Sequence, residues 1–200
     1  MKAATSHLRK ADPILAQIIE RVGPCRFSSR EPTFETLARS ITFQQLHGKA
    51  AATIFGRVQK AVGRRFTARG FLRLSQEELR ACGLSRQKIA SLTDLAERVA
   101  RREINFRKLA DLEDEEIIVL LSAVRGVGVW TAQMFLMFAL ERPNILPLAD
   151  LGIRSAVRKA YGLTELPKPA ELAKLGEKWR PYCSIASWYL WRSLDGQADI

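Results

Sequence analysis

Few side chains in this sequence could carry out chemistry. One is Asp150, which follows Pro143 and Pro147 in the stretch ERPNILPLAD. The prolines break the chain, and Asp150 then stands at the head of an apolar-periodic run, where a carboxylate serves as a helix N-cap. A second feature is Gly126-Val127-Gly128, set between two apolar helical runs. Glycines one residue apart let the backbone take positive φ and approach a neighbour closely. A helix that starts directly behind them aims unpaired N–H groups outward. Together these make a seat for an anion such as phosphate, although a helical hairpin that merely needed glycine to turn would show the same residues. Trp130, in the first turn of the second helix, offers an aromatic face to a ligand or to the packing between helices.

The composition says which anion to expect. The chain has 200 residues, 47% of them hydrophobic, and a formal net charge of +11. It can therefore build a real core, and its charge favours a polyanionic partner, a nucleic-acid backbone in the first instance. Cys25, Cys82 and Cys183 are far apart, which suits a reducing compartment and no disulfide framework. With His7 and His47 as its two histidines, the chain is not expected to hold structural zinc. No apolar signal region opens it, and no run is long enough to span a membrane.

The elements that must position these groups read as helices throughout. Asp12-Pro13 caps and opens a first helix with Ile14, Leu15, Ile18, Ile19 and Val22 on one stripe, ended by Gly23-Pro24. A second, Phe34 to Phe43, begins at Thr33 or Glu35. Gln44-Gln45-Leu46-His47-Gly48 interrupts it before a third helix from about Lys49 to Val62. Ser75-Gln-Glu-Glu78 is a capping box for a short helix ending at Cys82-Gly83, and Ser85 caps a longer one from Arg86 to Arg101. The glycine turn, cap and basic residues at 83 to 88 could seat a second phosphate through Ser85, Arg86 or Lys88; a capped helix with a solvated basic face fits equally. The acidic run Asp111 to Glu116 suits the positive end of the next helix, whose apolar end, Ile117 to Val124, leads into the glycine turn. After Asp150 come a helix to Tyr161, a stop at Gly162, a helix from Ala170 to about Trp179, and a last one from Pro181 to about Leu194. The tail 195 to 200 is expected to fray. No strand pattern or long-period repeat interrupts this, so the expected class is all-α, with some ten helices.

Val124-Arg-Gly-Val-Gly-Val-Trp-Thr-Ala132 resembles the helix-hairpin-helix of DNA repair proteins, with the hairpin at about 117 to 140. Asp150, twenty residues after Trp130, resembles the catalytic aspartate of the helix-hairpin-helix (HhH-GPD) glycosylase superfamily. The combined pattern is close to the bacterial 3-methyladenine DNA glycosylase II type, from about Phe34 to Asp195. The resemblance implies a single domain over 1–200 with two helical lobes flanking a cleft and no N-terminal β lobe. It implies hydrolysis of the N-glycosidic bond of an alkylated, flipped-out purine in double-stranded DNA. Asp150 would stabilise the oxocarbenium charge or orient water. A lysine in the family's strand-cutting members stands where this chain has Trp130, so it implies a monofunctional enzyme without lyase activity. Trp130, Trp191, Met134 and Phe43 would line the base pocket, Met134 standing where the family has tyrosine.

On the same footing, DNA contacts are expected from Gly126, Gly128, Trp130 and Thr131, with Gln45 or Leu46 as the wedge that fills the gap left by the base; the residues themselves add Ser85, Lys88 and Arg154 as candidates. The 124–128 carbonyls could hold a monovalent ion or magnesium. No cofactor is implied, and no iron–sulfur cluster, since Cys183 stands alone near the C-terminus. The protein is expected to be a monomer in the cytoplasm, at a bacterial or archaeal nucleoid. Two other functions fit the same features: a glycosylase of this fold for mismatched or deaminated bases, and a module that binds DNA without catalysis. An unrelated helical bundle is the structural alternative.

Overall fold

A computed structural model describes residues 1–195, so the expected fraying of 195–200 falls, beyond Asp195, outside the described residues. The described chain is all-α. Its helices are α1 (Lys2–Ala11), α2 (Pro13–Val22), α3 (Phe34–Phe43), α4 (Gly48–Val62), α5 (Ala68–Phe71), α6 (Gln76–Ala81), α7 (Arg86–Ala100), α8 (Asp114–Ser122), α9 (Val129–Phe138), α10 (Leu151–Ala160), α11 (Pro169–Gly176) and α12 (Cys183–Arg192). Single 3-10 turns lie at Leu109–Asp111 and Glu177–Trp179. Among the described residues no helix is long and apolar enough to cross a membrane. The chain divides into two compact units, one formed by Arg30–Leu140 and the other by Met1–Ser29 with the chain from Glu141 onward.

In the Arg30–Leu140 unit the helices start where side-chain caps satisfy their first N–H groups. Thr33 Oγ1 accepts from Thr36 N, Ser75 and Glu78 form a reciprocal capping box, and Ser85 Oγ accepts from Lys88 N. The apolar faces behind these caps meet in one core that includes Leu37, Ile41, Leu92, Leu95, Leu121 and Leu136, all buried. Each such side chain contributes about 1.5–3 kcal/mol by leaving water. That core fixes α3, α7 and the α8–α9 hairpin as a frame for the residues between them.

The second unit packs α1, α2, α10, α11 and α12 around Leu8, Leu15, Ile19, Ile153, Trp179 and Tyr189, again all buried. Its centre is polar. Asp12 is fully buried, caps α2 through Ile14 N (3.0 Å) and Leu15 N (3.2 Å), and accepts from Trp179 Nε1 at 2.8 Å and from Tyr161 OH. Lys178 Nζ stands 3.1 Å from the same carboxylate. Every lone pair a buried carboxylate must satisfy is thus addressed.

The structure corrects the sequence reading at four elements. α1 and α5 were not expected: α1 opens without a side-chain cap and buries only Ala4 and Leu8, while α5 is four residues long. α8 ends at Ser122, because Ala123 and Val124 leave the helix to enter the glycine turn. The last helix begins at Cys183, with Pro181 and the cap residue Tyr182 ahead of it. Trp188 and Tyr189 belong to the core there, and Tyr189 OH donates to Gly23 O.

Candidate active site

Asp150 caps α10. Its Oδ1 accepts from Ile153 N at 2.7 Å and from the Trp191 indole N–H at 2.9 Å. Pro147 helps set this up, since its carbonyl accepts from Asp150 N. The carboxylate is half-buried and its orientation is fixed from two sides. Gly152 makes the arrangement possible. A Cβ there would sit 3.1 Å from Asp150 Oδ1, 3.1 Å from Trp191 Cδ1 and 3.2 Å from Trp191 Nε1. A side chain there would make the indole or the carboxylate give by a few tenths of an ångström. A carboxylate so held, at the positive end of a helix, can stabilise cationic charge without first having to reorganise.

In the other unit the glycine turn is built from unlike parts. Gly126 has φ +76, and a Cβ on it would lie 2.6 Å from Ser91 Oγ. Gly128, by contrast, is extended at φ −93 and ψ 172 and meets nothing near its missing Cβ. The positive φ and the close approach that glycine allows thus both fall on Gly126, while Gly128 is extended and open. No acceptor among the described residues meets the amides of Gly126, Gly128 or Val129. Three such N–H groups can receive an anion, and Val129 was not singled out from the sequence. α7 buttresses the turn, since Asp94 Oδ2 accepts from Arg125 N at 2.8 Å while pairing with Arg98.

A cavity of about 700 Å³ lies beside this turn, with Phe43, Trp130 and Met134 in its wall together with Gln44, Gln45 and Lys88. Trp130 is 48% exposed and stands in the wall of this cavity. The Arg39 guanidinium lies 3.6 Å from the centre of the Phe43 ring, which removes one face of Phe43 from any stacking role.

The sequence-predicted site residues sort as follows. Phe43, Trp130 and Met134 come together in one cavity wall. Trp191 is in the unit that carries Asp150, where its N–H orients the catalytic candidate. Gln45, at φ 57, and Leu46 project from an exposed loop, as a wedge requires.

The expected phosphate contact of Lys88 is corrected, and Thr131 and Arg154 have partners of their own. Lys88 Nζ instead donates to the carbonyls of Ile41 (3.0 Å), Thr42 (2.6 Å) and Gln44 (2.7 Å), which uses all three of its protons. Burial pushes its pKa down. Thr131 is buried, and its hydroxyl accepts from Gln44 Nε2. Arg154 gives its Nε–H to Pro167 O at 2.8 Å and keeps its other four N–H groups. Ser85 is the cap of α7. Within 124–128, Val124 O accepts from Val127 N and Gly126 O from Gln44 Nε2, and each carbonyl keeps a second lone pair.

These features have counterparts in known proteins. The model of the HhH-GPD superfamily of base excision DNA repair proteins matches residues 38–181. The chain belongs to this superfamily. It is 34% identical over 196 residues to DNA-3-methyladenine glycosylase 1 of Schizosaccharomyces pombe, covering 95% of this chain and 86% of that protein. A solved structure of the S. pombe 3-methyladenine DNA glycosylase with abasic DNA superimposes with TM-score 0.81 at 35% identity, covering 95% of each chain. A Bacillus halodurans DNA-3-methyladenine glycosidase gives TM-score 0.86 at 34% identity, over 96% of this chain and 88% of that one. Within the HhH-GPD frame, α8, the glycine turn and α9 are the hairpin, and Asp150 is the acid that follows it. The features that sequence reading missed are the non-local ones, Gly152 under Trp191 and Lys88 under the 44–48 loop. A signal was available for the Arg39–Phe43 stack, because the two residues are four apart on α3.

Proposed function

We propose that this protein is a monofunctional DNA glycosylase of base-excision repair that releases alkylated purines from duplex DNA and leaves an abasic site. The observation that carries the reading is the doubly held carboxylate of Asp150 in an HhH-GPD chain. Cleavage of the N-glycosidic bond builds positive charge on the deoxyribose, and a fixed carboxylate lowers the energy of that oxocarbenium-like state. An N3- or N7-alkylated purine is already cationic and a good leaving group, so one acid is a sufficient catalyst. An indole such as that of the half-exposed Trp130 attracts a cation over its ring by about 0.5–2 kcal/mol. An indole has no amine to form a Schiff base with the sugar, so the strand is left uncut.

The hairpin amides of Gly126, Gly128 and Val129 grip one backbone phosphate, and Gln45 or Leu46 enters the stack as the base is extruded. The relatives named 3-methyladenine glycosylases support the substrate class. The reaction calls on no cofactor. A monomer acting on the chromosome of the cell is the working form.

Duplexes carrying 3-methyladenine, 7-methylguanine, uracil or a mismatched adenine test this proposal. The expected result is release of methylated purine, with breaks appearing only after alkali. Release of uracil or mismatched adenine without methylated purine would replace the substrate class. Breaks without alkali would refute the monofunctional assignment. DNA affinity should fall steeply as salt rises, because phosphate contacts dominate it.

A further inference from the structure

One face of α7 touches both DNA-facing parts of the Arg30–Leu140 unit. Lys88, Ser91 and Asp94 recur at intervals of three and so share that face. Lys88 Nζ converges on the Ile41, Thr42 and Gln44 carbonyls at 2.6–3.0 Å. These groups lie in the last turn of α3 and at its C-cap, where carbonyls lose their intrahelical partners. Ser91 Oγ occupies the space where a Cβ on Gly126 would go, and Asp94 receives the Arg125 amide. Gln44 closes the triangle, its Nε2 donating to Gly126 O at 3.1 Å and to Thr131 Oγ1 at 3.3 Å. The chain then turns sharply at Gln45, a non-glycine residue at φ 57. A residue in that region is held there by its surroundings.

We propose that Lys88 is a positioning residue for base extrusion: its ammonium ties the end of α3 to α7 and so sets the 44–46 loop in register with the hairpin. The inference rests on the glycosylase reading and assigns this lysine a role other than DNA contact. Two alternative explanations of the same lysine predict different results. A phosphate contact would show as lost affinity and a reduced salt dependence. A merely structural lysine would show as lost stability with no change in the folded enzyme's rate. A positioning lysine changes the rate of extrusion while DNA still binds, since misplacement by about 1 Å can cost about 10²-fold in rate.

The experiment compares the full-length wild type with Lys88→Met, which keeps the chain length and removes the three donors, and with Lys88→Arg. Arginine's charge is carried on a planar fork that cannot direct three donors from one nitrogen. Thermal unfolding is recorded for each protein. Three quantities are then measured on duplex DNA: affinity for a site holding an abasic analogue, fluorescence of a 2-aminopurine reporting extrusion, and single-turnover release of 7-methylguanine. Each is repeated in a Gln45→Ala/Leu46→Ala background.

For Lys88→Met we expect extrusion and release slowed by about 10²-fold, affinity unchanged within roughly twofold with the same salt slope, and an intermediate loss for Lys88→Arg. In the loop-truncated background the Lys88→Met loss should largely vanish, because the loop then has no wedge to position. Wild-type extrusion by Lys88→Met overturns the proposal, as does a loss that adds in full to the loop truncation. If Lys88→Met does not fold, Lys88→Arg decides: slowed extrusion with retained affinity supports the role, and unchanged extrusion overturns it. Failure of the wild type to release any methylated purine strikes the glycosylase reading alone, because the 2-aminopurine signal needs no bond cleavage.

Discussion

Two aspartates in one unit of this molecule are built on the same plan. Asp12 caps α2 and accepts an indole N–H from Trp179 at 2.8 Å; Asp150 caps α10 and accepts an indole N–H from Trp191 at 2.9 Å. They differ in what surrounds the motif. Asp12 is fully buried, and Tyr161 OH and the Lys178 ammonium converge on the oxygen that Trp179 already holds. Asp150 is half-buried, and its Oδ1 accepts from the N–H groups of Ile153 and the Trp191 indole. The cap and the indole fix a carboxylate in space. At Asp12 that motif is sealed beneath a counter-charge, whereas at Asp150 it stands half-buried. The same motif thus occurs in two environments within one unit, and the proposed role of Asp150 rests on the second.

Substitutions can break or sharpen this contrast. The largest effect on stability should come from Asp12→Ala, which strands the Trp179, Tyr161 and Lys178 donors around a hole. The expected loss is about 3–5 kcal/mol, read by chemical denaturation, while the fraction that remains folded excises at the wild-type rate. A slowed reaction in folded protein would show that Asp12 is more than structural.

Trp191→Phe keeps the ring and removes the N–H from Asp150. A hydrogen bond to a charged group contributes about 1.5–3 kcal/mol, so single-turnover excision should fall by about ten- to 10²-fold with DNA affinity retained. Gly152→Ala should act in the same direction and more weakly. Its Cβ requires Asp150 Oδ1 or the Trp191 ring to give by a few tenths of an ångström, a shift expected to slow excision by less than about tenfold.

The smallest effect is in acid. Burial pushes the Asp12 pKa up, but the bonds from Tyr161, Trp179, Leu15 N–H and Lys178 outweigh it, and the net shift is downward. The ionised form is thus favoured by folding. Its stabilisation is present above the ordinary carboxylate range, about pH 4, and is lost as pH falls through the depressed folded value. Asp12→Asn should flatten that part of the stability profile, and an unchanged slope would contradict the assignment.

Much of this was legible in the sequence where the signal is local. The caps at Asp12, Thr33, Ser75, Ser85 and Asp150 and the stops at Gly23 and Gly162 all appear where turn and cap chemistry predicts. α1 escaped because two buried residues and an uncapped start leave too weak a periodic signal. The acid and the glycine turn were legible from spacing together with family resemblance. Lys88 was misread because a lysine in the first turn of a capped helix looks the same whether it faces a phosphate or the carbonyls of another helix more than forty residues away. Gly152 and Trp191 meet across a similar sequence separation, and no local pattern announces such a contact.

The contrast between the two aspartates is tested most directly at Asp150 itself. Asn also caps helices well and can still accept from Ile153 N, so Asp150→Asn should keep the fold and the grip on DNA. Single-turnover release of 7-methylguanine, measured beside affinity for an abasic-analogue duplex, should then fall by about 10²–10³-fold with affinity equal to or better than wild type. Release at the wild-type rate by folded, DNA-bound Asp150→Asn would contradict the account.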